Sequence, residues 1–458
     1  MSTWLEDLEG AAPGRIKTSA AIREQHGRDA AHSESQPPDA VAYPESTSEV
    51  AALVRVCAAH RRPVIPFGVG TSLEYQVSAP EGGLSLDLSG MARILEINTD
   101  DMDARVEAGV TREQLNSHIR DQGIFFPIDP GANATIGGMA ATRASGTNAV
   151  RYGTMRGNVI GLTVVTPMGE VIRTGGRARK SAAGYDLTAL YVGSEGTLGV
   201  ITEVQIRLYP VPERIAAAVV QFPSLRSAVE SVVQTLCMGV PIARIELLDE
   251  LQMRAVNARA KLGYRNADTL FLEFHGGPAS VDEQIEQTRS VMEANGGSDF
   301  VWADKPEDRS RLWKARHEAF WAAKDLRPGA EVLATDVCVP ISRLADCVLE
   351  TRADFDRRGL CAPLVGHVGD GNFHSLILFD PANEREVKAA RDAYDALILR
   401  ALAMDGTCTG EHGIGSGMRK YLVREHGPAV ESMRLLKHAL DPDGIMNPGK
   451  MFLPARES

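Results

Sequence analysis

Cysteine is scarce in this chain of 458 residues, and its spacing excludes several classes of site. The six cysteines stand at positions 57, 237, 338, 347, 361 and 408, so no C-x-x-C pair occurs. Zinc ribbons, thioredoxin-like dithiols, c-type haem attachment and cysteine-ligated iron–sulfur clusters are therefore excluded. Scattered cysteines in a chain of this length indicate a reducing compartment.

Long apolar runs and a large positive charge are also missing. No run approaches the roughly 18 apolar residues of a membrane span, and residues 1–7 lack the apolar core of a signal peptide. The net charge of -11 argues against non-specific binding to nucleic acid. We therefore expect a cytoplasmic protein with no transmembrane segment and no nucleic-acid partner. Peripheral contact with the inner face of a membrane stays open.

Common nucleotide and hydrolase motifs are absent as well. No G-x-G-x-x-G follows a predicted strand, and there is no Walker A sequence, which disfavours Rossmann and nucleoside-triphosphate sites. The segment Gly193-Ser194-Glu195-Gly196 lacks the G-x-S-x-G spacing of a nucleophile elbow. Serine hydrolase chemistry is therefore unsupported.

Glycine, in contrast, is concentrated in three short segments of the N-terminal half. These are residues 66–72, 129–138 and 193–199. Consecutive N–H groups in such turns form anion-binding nests, and the missing side chains let a ligand approach the main chain closely. Any one segment is well explained as a simple turn. Three of them on one α/β domain indicate a large, flat, anionic ligand such as a dinucleotide.

Histidine and carboxylate donors lie in two further glycine-rich segments. His367 and His374 flank a predicted turn at residues 369–372, and Glu411 and His412 follow later. If a four-residue loop closes this hairpin, the two histidines form a cross-strand pair with Cβ atoms roughly 5 Å apart. Two histidines and one carboxylate are a common open metal site, so His367, His374 and Glu411 are predicted to bind a divalent ion. Zinc, manganese and iron all fit this donor set.

The order of predicted elements divides the chain near residues 210–212. Before this point, helices with capping residues alternate with short strands. Beyond it, the elements follow the β-α-β-β-α-β order of a ferredoxin-like layer, and the end of the chain is mostly helical. We therefore predict an α+β protein with domains at 1–211 and 212–458. Residues 405–458 are expected to pack back on the first domain.

Long blocks of this sequence resemble a known flavoprotein family. Residues 65–74, 130–138, 144–156, 180–187 and 192–199 resemble the FAD domain of the vanillyl-alcohol oxidase / para-cresol methylhydroxylase (PCMH) superfamily. Residues 335–340, 366–374, 406–413 and 441–450 are similar to its D-lactate dehydrogenase (cytochrome) branch. The resemblance implies a two-subdomain PCMH-type FAD-binding domain over 1–211. It also implies a FAD-linked oxidase C-terminal domain, a cap with the substrate and metal sites, over 212–458.

The same resemblance implies roles for individual residues. FAD would be bound non-covalently, with its pyrophosphate on the 67–72 loop. His412 would be the catalytic base, Arg316 would bind the substrate carboxylate, and the three metal ligands would be those named above. The residues implied to contact FAD are Pro66, Phe67, Gly68, Val69, Gly70, Thr71, Ser72, Pro130, Gly131, Thr135, Gly137, Gly138, Ser145, Gly146, Tyr152, Gly153, Glu195, Gly196, Gly199, Ile201 and Asn447.

Two departures from related sequences bear on cofactor and substrate. Tyr75 stands where the family usually has glycine after Glu74, so we expect it to reshape the pyrophosphate edge. D-2-hydroxyglutarate dehydrogenases hold the distal carboxylate with polar groups at the positions matching Ala334, Phe320 and Leu376, which are all apolar here. A distal carboxylate buried there would lack a partner at large cost. The substrate is therefore expected to have a short or apolar tail, as in D-lactate or D-2-hydroxybutyrate.

These observations predict a FAD- and metal-dependent D-2-hydroxyacid dehydrogenase. Because the sequence has no haem or iron–sulfur motif, its electrons should pass to an external cytochrome, quinone or electron-transfer flavoprotein. Four alternatives stay open: a D-2-hydroxyglutarate dehydrogenase, a glycolate dehydrogenase, a non-catalytic flavin subunit of a larger oxidase, and an oxygen-using oxidase. A homodimer also stays open.

Overall fold

A computed structural model describes residues 3–32, 34–261 and 263–453, apart from the side chains of Ala315 and His317. The described residues form two compact units. The first comprises those of Met1–Ser145, Gly153–Val211 and Glu411–Ser458, and the second comprises those of Gly146–Tyr152 and Pro212–Gly410. Residues 411–458 therefore group with the N-terminal part of the chain, and residues 146–152 group with the C-terminal part.

The described strands are two to nine residues long. In chain order they are β1 (Ile16–Lys17), β2 (Ala40–Ala42), β3 (Val64–Phe67), β4 (Leu84–Asp87), β5 (Ile94–Asn98), β6 (Asp103–Glu107), β7 (Ile124–Phe125), β8 (Val159–Val165), β9 (Val171–Gly175), β10 (Val200–Arg207), β11 (Tyr209–Pro210), β12 (Arg214–Phe222), β13 (Arg244–Leu248), β14 (Asp268–Gly276), β15 (Ser298–Ala303), β16 (Glu331–Ala334), β17 (Val337–Cys338), β18 (Leu364–Gly366) and β19 (Asn372–Phe379).

The described helices are α1 (Trp4–Ala11), α2 (Ala20–Gln25), α3 (Thr47–Ala59), α4 (Arg112–Ile119), α5 (Ile136–Thr142), α6 (Ala149–Tyr152), α7 (Met155–Asn158), α8 (Leu187–Tyr191), α9 (Leu225–Cys237), α10 (Glu250–Ala260), α11 (Pro278–Ala294), α12 (Pro306–His317), α13 (Ala319–Asp325), α14 (Leu344–Arg358), α15 (Glu384–Ala403), α16 (Arg419–His426) and α17 (Ala429–Leu440). Short 3-10 turns lie at Arg120–Gln122, Ile341–Arg343 and Val368–Asp370. Within the described ranges, no helix is long and apolar enough to cross a membrane.

The first unit contains two main sheets. In one, the order is β1-β2-β4-β3, with parallel pairing among β2, β4 and β3. In the other, β5-β6-β10-β8-β9 are antiparallel, and each sheet buries its own apolar cluster. A parallel bridge from Val64 to Met446 ties the C-terminal segment to β3.

Helix α3 shows how local sequence sets an element in this unit. Ser46 caps it by accepting the N–H of Glu49 at 3.2 Å, and apolar residues at a spacing of three to four turn into the core. The sequence Ser46-x-x-Glu49 is typical of a capping box, but the second half of that motif differs here. The Glu49 carboxylate accepts the N–H of Glu45, not that of Ser46.

The second unit is built on one antiparallel sheet. Its order is β15-β12-β14-β13-β18-β19-β16, with β17 also pairing with β19. The first four strands have the spatial order 4-1-3-2 when numbered along the chain, and α9 and α11 supply the two crossovers. This confirms the predicted ferredoxin-like layer within an α+β fold. Pairing of β13 with β18 joins that layer to the β18–β19 hairpin.

Candidate functional site

The β18–β19 hairpin of the second unit carries both predicted metal-binding histidines. The expected register was wrong, because His374 lies opposite Val365 rather than opposite His367. A 3-10 turn at Val368–Asp370 and a left-handed Gly371 (φ 79°) replace the expected four-residue loop. The two histidine rings still have centroids 5.5 Å apart, because diagonal positions of a hairpin share one face of the sheet.

Hydrogen bonds define the orientation of each imidazole. Nδ1 of His367 lies 2.7 Å from Oε1 of Glu246, and Nδ1 of His374 lies 2.9 Å from the carbonyl oxygen of Thr335. Because a carbonyl only accepts, Nδ1 of His374 carries the proton, and the lone pair of the neutral ring is on Nε2. A carboxylate or carbonyl on the second ring nitrogen is the usual support of a metal-binding histidine. The donor set therefore fits a divalent ion.

Glu246 is a site residue that sequence reasoning missed. It is fully buried on β13, and its second oxygen accepts a hydrogen bond from Nε of Arg316 at 2.6 Å. Burial alone would raise the pKa of this carboxyl, but the charges and hydrogen bonds of His367 and Arg316 hold its pKa below the ordinary value. In the sequence, the acidic residue between the apolar residues Ile245 and Leu247 was the signal that could have identified it.

Arg316 of α12 is thus brought beside the β18–β19 hairpin, in the same unit. Its side chain is 18% exposed. The contact with Glu246 uses Nε, and a guanidinium has a second edge, Nη1 with Nη2, that can hold a carboxylate through two hydrogen bonds.

A buried polar cluster anchors the last residues of the second unit. Asp336 accepts hydrogen bonds from Asn372 and Thr409, both at 2.7 Å. A Cβ on Gly410 would lie 2.3 Å from the amide nitrogen of Asn372, so the chain passes too close for any other residue. Asp336 is fully buried, and sequence reasoning did not single it out. The signal in the sequence was a single acidic residue between strands β16 and β17.

Glu411 and His412 come directly after Gly410 and belong to the first unit. Within that unit, Oγ of Ser145 donates to a Glu411 carboxylate oxygen at 2.6 Å, and the Gln76 amide donates to the His412 carbonyl oxygen at 2.7 Å. These contacts hold the side chain of the predicted third metal ligand, Glu411, and the main chain of the predicted base, His412.

Glu195, an implied FAD contact, holds this same segment. Its two carboxylate oxygens accept the N–H groups of Ile414 and Gly415, each at 2.7 Å. Burial raises the pKa of Glu195 to about 7 despite those two bonds. Asn447, another implied FAD contact, donates to the carbonyl oxygens of Gln76 and Glu195. Both side chains therefore have structural partners inside the first unit.

The three glycine segments meet within the first unit. A Cβ on Gly68 would lie 2.6 Å from Oγ1 of Thr135, and a Cβ on Gly196 would lie 2.9 Å from Cγ of Pro66. Gly70 and Gly196 have φ values of +68° and +71°, which side chains disfavour. The segments 66–72, 129–138 and 193–199 therefore form one surface.

Packing requires a further glycine of these segments, and one buried hydroxyl indicates a ligand. Gly137 approaches Ala108 so closely that an added Cβ would lie 2.5 Å from the alanine Cβ. The Ser72 hydroxyl is buried and has no hydrogen-bond partner among the described residues, and a phosphate oxygen would satisfy it. The glycine cradle and this donor fit FAD.

The implied FAD segment 145–153 is divided between the units. Ser145 and Gly153 belong to the first, and Gly146 and Tyr152 belong to the second. In the second unit, the Tyr152 hydroxyl lies 2.7 Å from Nδ1 of His275. The remaining implied contacts lie in the first unit, where Ile201 is a buried core residue and Gly199 packs against β8.

Tyr75 occupies the position where the family usually has glycine, and its backbone is left-handed, with φ at 61°. Its N–H donates to Asp29 at 2.6 Å, and its ring stacks on His32 with centroids 3.5 Å apart. The left-handed conformation accounts for the usual glycine. The aromatic stack and the hydrogen bond hold tyrosine in it here.

The residues expected to line the substrate tail lie in the second unit. Ala334 and Leu376 are paired across β16 and β19, and Leu376 is buried. Phe320 on α13 is 43% exposed and packs edge-on against Trp321. The first two therefore form an apolar pair on neighbouring strands.

Comparisons with known proteins agree with this geometry. Residues 38–175 match the family described as "FAD binding domain", and residues 211–451 match "FAD linked oxidases, C-terminal domain". The chain is 54% identical to "Probable D-lactate dehydrogenase, mitochondrial" of Danio rerio, over 95% of this chain and 89% of that protein. It is 46% identical to "D-lactate dehydrogenase [cytochrome], mitochondrial" of Arabidopsis thaliana, over 91% and 74%.

A solved structure of p-cresol methylhydroxylase with bound substrate is similar in fold. The TM-score is 0.80 at 18% identity, and the match covers 99% of this chain and 97% of that one. At this identity the likeness concerns the fold alone, and it confirms the expected PCMH-type architecture.

Proposed function

The chain belongs to the FAD-linked oxidase family, and we propose that it oxidises D-lactate, or a similarly short and apolar D-2-hydroxy acid, to the 2-keto acid. The observation that carries this proposal is the convergence of His367, His374 and Arg316 in one unit, with Glu246 contacting His367 and Arg316. The names of the relatives described above point to the same substrate.

The glycine surface of the first unit is the proposed FAD site. Residues 67–72 would hold the pyrophosphate, with Ser72 as a hydroxyl donor, and no covalent link is proposed. FAD, when bound, supplies the acceptor for the hydride that leaves the 2-carbon of the substrate.

A divalent metal is proposed to bind His367, His374 and Glu411. Support comes from the two imidazoles whose Nδ1 atoms already have partners. Glu411 follows Gly410 by one peptide bond, and Gly410 is itself packed on Asn372 of β19. Zinc, manganese and iron fit these ligands, and any of them would lower the pKa of a bound hydroxyl.

The chain's own residues then have distinct roles. The Nη1–Nη2 edge of Arg316 binds the substrate carboxylate and fixes the orientation of the 2-carbon. An imidazole nitrogen of His412 accepts the hydroxyl proton as the 2-hydrogen leaves as hydride. Gln76, by holding the His412 carbonyl, sets the position of the base.

The apolar pair Ala334 and Leu376 is proposed to contact the tail of the substrate. A carboxylate buried beside Leu376 would lose its hydration without gaining a partner. A methyl or ethyl group would lose nothing of that kind, which favours D-lactate and D-2-hydroxybutyrate over D-2-hydroxyglutarate.

The electron acceptor is proposed to be a cytochrome, as the name of the Arabidopsis relative suggests for that protein. Quinones and electron-transfer flavoproteins are the other acceptors to compare. The proposed location is the cytoplasm, although the relatives are named as mitochondrial. A homodimer is a further proposal, to be checked by light scattering.

Anaerobic mixing of the purified FAD-loaded chain with D-lactate tests the activity. We expect the visible flavin absorbance to bleach and pyruvate to form in equal amount. Flavin that stays oxidised with D-lactate and with D-2-hydroxybutyrate would overturn the proposal. Elemental analysis of the same sample tests the metal, and peroxide release in air would identify an oxidase instead.

A further inference from the structure

Glu246 is an acidic side chain placed where a carboxylate is costly. It is fully buried on β13, a strand paired on both sides by β14 and β18. A carboxylate in such a position destabilises the fold unless other groups pair with both of its oxygens. A carboxylate on this core strand is therefore explained only by the groups that pair with it.

The two oxygens of Glu246 contact two different functional side chains. Oε1 lies 2.7 Å from Nδ1 of His367, and Oε2 lies 2.6 Å from Nε of Arg316. His367 comes from the hairpin turn and Arg316 from α12, so one carboxylate joins a strand, a turn and a helix. Both partners are therefore oriented by the same side chain.

We propose that Glu246 is a positioning residue that couples metal binding at His367 to substrate-carboxylate binding at Arg316. This inference rests on the proposed function, because both partners have their roles only there. The carboxylate keeps the proton of His367 on Nδ1, which leaves the lone pair of Nε2 available for a divalent ion, and it fixes the Arg316 guanidinium for the incoming carboxylate. One buried carboxylate thereby orients both a metal ligand, His367, and the residue that binds the substrate carboxylate, Arg316.

Glu246→Gln is the sharpest test. Glutamine has nearly the same volume, but it has one acceptor oxygen in place of two, so it can accept from only one of the two partners. We expect the affinity for Mn²⁺ or Zn²⁺, titrated without substrate, to fall about 10- to 100-fold. We also expect the KM for D-lactate to rise more than kcat falls.

Glu273→Gln is the matched control. Glu273 is buried on the neighbouring strand β14, accepts from His275 at 2.8 Å and lies 3.5 Å from Arg244, so it has the same kinds of partner. Its replacement should lower thermal stability to a similar degree and leave the metal affinity unchanged. Equal losses of metal affinity in both variants would overturn the inference and indicate a general packing effect.

Carboxylate binding is measured separately, by titrating the metal-free, FAD-loaded chain with pyruvate and following the flavin spectrum. Glu246→Gln should weaken pyruvate binding there, because Arg316 has lost its orientation. Unchanged affinities for both metal and pyruvate would overturn the proposal.

If the natural chain binds none of Mn²⁺, Zn²⁺ and Fe²⁺, the coupling is overturned together with the metal site. Flavin reduction by D-lactate in the same sample then shows whether the proposed activity survives.

Discussion

The glycine surface of the first unit and the β18–β19 hairpin of the second are built on different principles. The first presents main chain, and its glycines are required by close approaches and by positive φ angles, as at Gly68 and Gly196. The second presents side chains, and its histidines are held by partners far away in sequence, as with Glu246 and His367. A main-chain site requires residues that have no side chain, whereas a side-chain site requires neighbouring groups that orient its side chains.

This contrast explains which substitutions should be severe in each region. On the glycine surface, a single added methyl group changes the backbone that a ligand contacts. On the hairpin, a change in a partner strand should be as harmful as a change in the ligand itself.

The largest effect is expected at His412, which belongs to the first unit but is predicted to act through its side chain. His412→Ala should lower the rate of flavin reduction by about 10²- to 10⁴-fold while FAD stays bound, because the imidazole takes the proton. Anaerobic stopped-flow absorbance measures this rate. His426→Ala, on the exposed end of α16, is the control and should keep the natural rate. Equal reduction rates in both variants would remove His412 from the mechanism.

A smaller effect is expected from the buried carboxyl of Glu195. Its pKa is about 7 in the folded chain, against an ordinary value of 4.5, because burial disfavours the charged form. Between these pH values the folded state retains a proton that the unfolded state has released, so stability should fall as pH rises from 4.5 to 7. The contribution is on the order of 3 kcal/mol.

Glu195→Gln should remove this part of the pH dependence. Urea unfolding of the FAD-free chain at several pH values measures it, and Glu170→Gln, at an exposed turn, should retain the natural slope. If stability depends on pH equally in the natural chain and in Glu195→Gln, the hydrogen bonds of Glu195 to residues 414–415 are not coupled to its protonation.

The glycine surface itself is tested by two matched substitutions. Gly196→Ala should cost about 1–2 kcal/mol in stability and FAD affinity, since its φ is +71° and a Cβ would meet Pro66. Gly90→Ala, outside the three glycine segments, should be nearly neutral, because a Cβ there meets nothing within 4 Å. Flavin fluorescence during titration gives both affinities. A loss at Gly90 equal to that at Gly196 would contradict the strain argument.

The smallest effect concerns the substrate tail. Leu376→Asn should lower kcat/KM for D-lactate by about tenfold and raise relative activity towards D-2-hydroxyglutarate, because a polar group replaces part of the apolar pair. Leu376→Met, which preserves apolar volume, should retain the natural preference. An unchanged substrate ratio in the asparagine variant would place the tail elsewhere.

Local signals were sufficient for much of the fold. Ser46 and the apolar spacing of residues 50–57 predict α3, and alternating strands and helices predict the ferredoxin-like layer. Glycine clusters identify a surface for a dinucleotide, because no other residue tolerates positive φ and close approach so well. Tyr75 shows the limit of that rule, since a stack on His32 and a hydrogen bond from its N–H to Asp29 hold a left-handed tyrosine.

The sequence by itself therefore determined the elements, the glycine surface and the identity of the histidines. Only the tertiary structure decided the hairpin register, the partners Glu246 and Asp336, and the clamping of residues 414–415 by Glu195. Glu246 and His367 are 121 positions apart, and Glu195 and Ile414 are 219 apart. Local propensity acts over a few residues, whereas contacts at such separations exist only once the sheets have formed and buried these groups together.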